Sequence, residues 1–124
     1  MSTKIENLEQ ILNEVKRNCG VNASAIVTGR GQIIWSVLPQ NIEEKALSAM
    51  AAALNSIAIR VVRELDAGQP KSLLLDGLNM SIILKGNDDL LIIGVAPYDS
   101  EISLISFELE KAMDRIQETM EGDS

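Results

Sequence analysis

The sequence predicts an α+β fold in which a five-stranded antiparallel sheet carries helices on both faces, in the order α-β-β-α-β-β-β-α. Three observations lead there. A segment at each end of the chain repeats apolar residues every three or four positions, the period of an amphipathic helix. Between them an Ala-rich stretch, residues 42 to 65, carries more apolar surface than one sheet face would cover. The remaining stretches are short, rich in β-branched residues and separated by glycine, asparagine and aspartate, as in hairpins.

Thr3 to Asn18 opens with Thr3 and Glu6 in capping-box spacing. Ile5, Leu8, Leu12 and Val15 make a narrow apolar stripe, with Ile11 beside it, and Gly20 ends the helix. Ala23 to Thr28 and Gln32 to Leu38 read as strands joined by Gly29-Arg30-Gly31, whose glycines supply the positive φ angles of a tight hairpin. Trp35 alternates with Ile33 and Val37, which places it in the core beneath a helix. The other reading of Trp35 and Arg30 is an edge-strand docking site for a partner peptide.

Asn41 is the expected N-cap of the long helix, with Glu44 three residues on, and Gly68 and Pro70 close it. Such a helix would run about 36 Å, the width of a small domain. Ser72 to Asp76, Met80 to Lys85 and Leu90 to Ala96 complete the sheet through two turns rich in Gly, Asn and Asp. Residues 90 to 96, LLIIGVA, carry no polar side chain, so this strand belongs at the centre with both faces covered. Asp99 or Ser100 is expected to cap the last helix, on which Ile102, Ile105, Leu109, Ala112, Ile116 and Met120 form one buried face. Glu121 to Ser124 is an acidic tail expected to fray.

Composition narrows the chemistry. The 124 residues suit one domain, 1–124, long enough to bury a core. A net charge of −7 opposes binding to nucleic acid or to an anionic membrane, both of which reward a basic face. No histidine is present, which removes Ser-His and Cys-His nucleophile pairs and His-containing metal sites. There is no Walker A loop and no GxGxxG. The single Cys19 has no internal disulfide partner, and the amphipathic N-terminus does not read as a signal peptide. A cytoplasmic protein is the simplest expectation, with no bilayer-spanning segment, since the apolar runs are strand-length or interrupted by polar residues. Glu43-Glu44 and Asp88-Asp89 read as helix-start and turn residues, and Cys19 as a buried thiol. No residue is assigned to catalysis, to a cofactor or to a metal.

Three stretches carry a family resemblance: ASAIVTGRGQIIWS over the first hairpin, ALSAMAAALNSIAIRVV in the long helix, and SLLLDGLNMSIILKGNDDLLIIGVAP over the closing strands. With the element order, they make the chain similar to the Roadblock/LC7 family, the dynein light-chain and MglB-like group, across nearly its whole length. Longin and profilin-like folds share parts of the pattern. One departure is the first hairpin turn, where the family commonly has acidic residues and this chain has Thr28-Gly29-Arg30-Gly31. The resemblance implies homo- or heterodimers in which the long helices pack together and the third strands pair, and which bind small Ras-like GTPases or scaffold subunits.

Two groups of site residues follow. The excess apolar surface of the long helix points to a second copy of the same helix, and Ala46, Ala49, Met50, Ala53, Ser56 and Ile57 form the dimer arc. Ser72, Leu73, Leu74 and Leu75 would join it through the pairing of third strands that the resemblance implies. Ser48, Ala52, Asn55, Ile59 and Arg63 lie on the opposite arc, either a solvated face or, by the same resemblance, the surface offered to a GTPase. Arg60 and Arg63 read as cations complementing the helix C-terminus rather than as an arginine finger.

The function expected is a non-enzymatic homodimeric module, pairing with itself or a paralogous Roadblock subunit, that binds and regulates or scaffolds a small Ras-like GTPase. An adaptor subunit of a motor or membrane-tethered complex without GTPase contact is the alternative. A small-molecule sensor domain is the reading from a different class.

Overall fold

The computed structural model describes residues 3–122. Its elements are α1 (Thr3–Cys19), β1 (Ala23–Thr28), β2 (Ile33–Val37), α2 (Glu44–Glu64), β3 (Leu73–Asp76), β4 (Met80–Gly86), β5 (Leu90–Pro97) and α3 (Ile102–Glu121). The five strands make one antiparallel sheet in the order β2-β1-β5-β4-β3, with β5 at its centre. The central place follows from composition: a strand without polar side chains can be covered on both faces at no desolvation cost.

Alternation along the strands divides the core in two. Ile26, Ile83, Ile92 and Ala96 point to one face, where they pack with Leu8, Ile11, Leu12 and Val15 of α1 and Ile105, Leu109 and Ile116 of α3. Ala25, Val27, Leu84, Leu91 and Ile93 point to the other, where Ala51 of α2 is, among the described residues, the only buried hydrophobic residue from a helix. One face thus carries two helices and the other carries α2. Gly94 lets α3 approach, since a Cβ there would stand 3.3 Å from Leu109 Cδ1. The stripe on α3 lies as expected, whereas on α1 it starts one turn later, Ile5 being 42% exposed and Ile11 standing inside it.

Several local expectations are corrected. The N-cap of α2 is Glu43 and not Asn41: its carboxylate accepts from the backbone N–H groups of Lys45 (3.3 Å) and Ala46 (2.9 Å). Residues 41 to 43 are not helical, so Asn41 is too far back to reach those donors. The C-terminus of α2 closes at Asp66, not Gly68. Asp66 takes a φ of 54° and donates its N–H to Arg63 O, while Ala67 N–H reaches Val62 O, a Schellman closure with aspartate in the usual glycine position. The cap of α3 is Glu101, without a side-chain hydrogen bond, in place of Asp99 or Ser100. Since α1 is already helical at Thr3, its capping position lies outside the described residues, as does the tail beyond Gly122. Glu121 itself is the last residue of α3.

The first hairpin differs most. Trp35 pairs with Ile26 and Ile33 with Val27, so the register shifts and Ile34 is the extra residue of a bulge. Ile33 therefore packs on the α2 side while Trp35 and Val37 pack on the α1–α3 side. In the turn only Gly31 has a positive φ, of 90°, so Gly29 does not supply the second left-handed residue expected there.

Candidate functional site

The arrangement of α2 stands out. Among its 21 residues only Ser48 and Ala51 are buried, at 2% and 1% exposure. Leu47, Leu54, Ala58 and Val62 extend the sheet-facing side as half-buried residues. Residues 47, 51, 54, 58 and 62 make an unbroken helical stripe.

The opposite side of α2 is solvent-exposed and apolar. Ala46, Ala49, Met50, Ala53, Ser56 and Ile57 all lie there, together with Val61 and Leu65, which extend the surface to the end of the helix. Met50 is 58% exposed, Ile57 55% and Leu65 73%. An 18-residue window of α2 has a mean hydropathy of 1.3 and is 11% buried, so by length and composition this helix could cross a bilayer. An apolar helix of a soluble protein has the same length and composition, so these two features by themselves assign no membrane span.

Beside α2 lies the β3 edge of the sheet. Of the four residues grouped with the dimer arc, Ser72, Leu74 and Leu75 are exposed and Leu73 is half-buried. Leu73 packs on the α2 side, and Leu75 lies on the same face, opposite Ile82 of β4. A narrow recess between Asn55 and Ala58 of α2 and Pro70 to Leu73 joins the helix to this edge.

The second group of residues divides. Ser48 faces the sheet and donates to the Lys45 carbonyl at 3.1 Å, so it does not share a surface with the others. Ala52, Asn55, Ile59 and Arg63 line a cleft of about 240 Å³ with Ser56, Arg60, Gly29 and Asp88. Its walls are α2 and the turns after β1 and β4. Asn55 Nδ2 donates to the Asn87 carbonyl at 3.1 Å, tying the helix to the second turn. Gly29 N–H donates to Asp89 O at 2.9 Å, tying the turns to each other. Gly31 brings the first turn down on α2, where a Cβ on it would meet Ala49 Cα at 3.4 Å and Ala52 Cβ at 3.5 Å. Sequence reading missed Gly29 and Asp88 because nothing local joins residues 29, 59 and 88.

The two glutamates of the first acidic pair have structural partners, and the second pair sits in a closed turn. Glu43 caps α2, Glu44 accepts a 2.6 Å hydrogen bond from Ser36 Oγ, and the turn at residues 87 to 90 is closed by Asn87 Oδ1 accepting from Asp89 and Leu90 N–H. On the far side of the sheet α1 and α3 are clasped by Arg115 to Glu14 and by Asn18 Nδ2 to the nearly buried Glu108 at 3.1 Å. The Arg115 bond draws the Glu14 carboxyl below its usual pKa. Cys19 is half-buried, not the buried thiol expected; this partial burial pushes the thiol above its usual value, with the Glu108 charge adding to the effect, and its Sγ lies 3.2 Å from Val15 O. Lys85, also nearly buried, pairs with Glu110 at 3.4 Å.

Known proteins share this architecture. An uncharacterized Methanocaldococcus jannaschii protein, MJ0714, is 24% identical over 110 residues, which cover 89% of this chain and 93% of that protein. Myxococcus xanthus MglB superposes with a TM-score of 0.87 at 14% identity, covering 95% of this chain and 90% of its own. The gliding protein MglB of Thermus thermophilus gives 0.87 at 13% identity, covering 96% and 92%. At these identities the superpositions establish the fold. The Roadblock/LC7 domain model matches residues 7–96, from α1 through the last residues of β5, and by that match the chain belongs to the Roadblock/LC7 family.

Proposed function

We propose that this protein is a non-enzymatic, cytoplasmic module that dimerises through α2 and the β3 edge and binds a small Ras-like GTPase, which it regulates or scaffolds. The observation carrying the dimer is the exposed apolar side of α2, with Met50, Ile57, Val61 and Leu65 each about half exposed or more. A contiguous apolar surface of this kind on a soluble domain marks an interface. Small residues at Ala46, Ala49, Ala53 and Ser56 would let a second helix approach closely. Leu74 and Leu75 stand on an edge strand of four residues whose outer hydrogen-bonding groups would be satisfied by a second copy of the same strand. Although α2 is long and apolar enough for a bilayer, its other side packs on the sheet through Leu47, Ala51 and Leu54, and crossing a membrane would strip that core face bare. A protein partner therefore fits it better than lipid. The GTPase rests on family membership, whose fold is generally an interaction module, and on the cleft beside α2 as a place for a partner to engage.

The test has two readouts. Ala53 is exposed, so Ala53→Glu should leave the fold intact and convert a dimer to a monomer in light scattering. A monomeric wild type at micromolar concentration would refute the dimer. Ile59→Asp should abolish capture of a purified small GTPase from the same cell while light scattering still shows a dimer. Undiminished capture would remove α2 from the contact.

A further inference from the structure

The cleft beside α2 has a charge character opposite to that of the chain. The protein carries −7 overall, yet Arg60 and Arg63 both line the cleft and Arg30 sits between Gly29 and Gly31 on the turn that forms one wall. Among the described residues none of these three guanidinium groups makes an ion pair, whereas Lys85, Lys111 and Arg115 all do. The one acid in the lining, Asp88, belongs to the opposite wall and forms no ion pair with them either. The walls are held by the Gly29–Asp89 and Asn55–Asn87 hydrogen bonds, so the arginines are presented on a fixed frame. Ala52 and Ile59 supply an apolar patch in the same cleft.

We infer that this cleft receives an acidic segment of the protein partner, a carboxylate side chain held by Arg60 and Arg63 next to an aliphatic side chain seated on Ile59 and Ala52. Guanidinium forks match carboxylates in a planar, two-bonded geometry that lysine does not reproduce. The overall negative charge selects the kind of anion. A polyanion such as nucleic acid or an anionic membrane meets repulsion from the whole surface. A single carboxylate on a folded partner feels mainly the local arginines, because charges beyond about 8 Å are screened at physiological salt. The inference rests on the reading of α2 as a partner-binding face and names the chemistry that face selects.

The experiment uses the full chain and a fluorescein-labelled peptide with one glutamate beside one leucine in a glycine–serine background, with the same peptide carrying glutamine for glutamate as control, read by fluorescence anisotropy. The glutamate peptide should bind and the control should not. Arg60→Ala with Arg63→Ala should weaken binding about tenfold, the size expected when two partly exposed charge pairs are lost. Arg63→Lys should recover only part of the affinity, and raising the salt should weaken the wild type alone. Equal binding of the two peptides or an unchanged double variant would each overturn the inference. So would a change in the mass of the double variant by light scattering, which would assign these arginines to a contact between copies. GTPase capture that persists in the double variant would leave the GTPase proposal standing and refute only the acidic contact. Failure of the wild type to capture any GTPase while still binding the glutamate peptide would do the reverse.

Discussion

The backbone carbonyl of Asp88 fills the space in which a side chain on Gly29 would begin: a Cβ built there lies 2.0 Å from that oxygen. The contact brings two turns, 59 residues apart in the chain, within reach of the Gly29–Asp89 hydrogen bond and so forms one end of the cleft. Glycine is needed at 29 for this approach, since its φ is not positive.

Gly29→Ala should therefore destabilise the protein by roughly 1–3 kcal/mol, the cost of forcing backbone apart in a packed site. Gly20→Ala meets open space and carries only the strain of a φ of 73°, roughly 1–2 kcal/mol. The two differ in a second readout. Gly29→Ala should also weaken binding of the glutamate peptide, because it moves a cleft wall, while Gly20→Ala should not. Urea titration and anisotropy on both variants measure this.

Glu43 and Asn41 compete as the cap of α2, and the hydrogen bonds favour Glu43. Glu43→Ala should cost about 1 kcal/mol, the usual loss for an N-cap carboxylate or hydroxyl. Asn41→Ala should fall within about 0.5 kcal/mol of the wild type, as expected for an exposed position without partners. Chemical denaturation at neutral pH separates the two.

Acid should release the α1–α3 clasp. Arg115 holds the Glu14 carboxyl below its usual value, so folding favours the ionised form. The stability this contributes is present above the unfolded carboxylate pKa, near 4.5, and is lost as pH falls below it through the folded value. Because Glu14 is partly exposed, the contribution should be under about 1 kcal/mol. The midpoints of wild type and Glu14→Gln in urea should differ at pH 7 and converge near pH 3. A constant gap would show that the loss is one of packing.

Cys19 should behave as a protected thiol. Its folded pKa is raised, first by burial and then by Glu108, so native protein should alkylate more slowly than unfolded protein at pH 8. By the same linkage, the stabilisation it brings is complete below the unfolded thiol pKa and is lost as pH rises through the folded one. Glu108→Gln removes the charge that adds to the shift, and it should speed alkylation by iodoacetamide. No change in rate would leave burial as the whole cause.

The sequence by itself determined the order of elements, their type and the position of β5. Those features depend on local periodicity, and a period of 3.6 or 2 is written in consecutive residues whatever lies across the fold. It also marked Ala46, Met50, Ala53 and Ile57 as one arc, which the structure leaves exposed on α2. Only the tertiary structure decided what depends on a single distance or on segments far apart. Glu43 rather than Asn41 caps α2 because one carboxylate reaches two N–H groups. Ile33 and Trp35 face opposite sides because β1 imposes a bulge at Ile34. Ser48 turns to the sheet because the stripe through Ala51 fixes the rotation of the helix. The cleft exists because the turns at Gly29 and Asp88 meet α2 near Asn55, and neither turn carries in its own sequence any sign of the other.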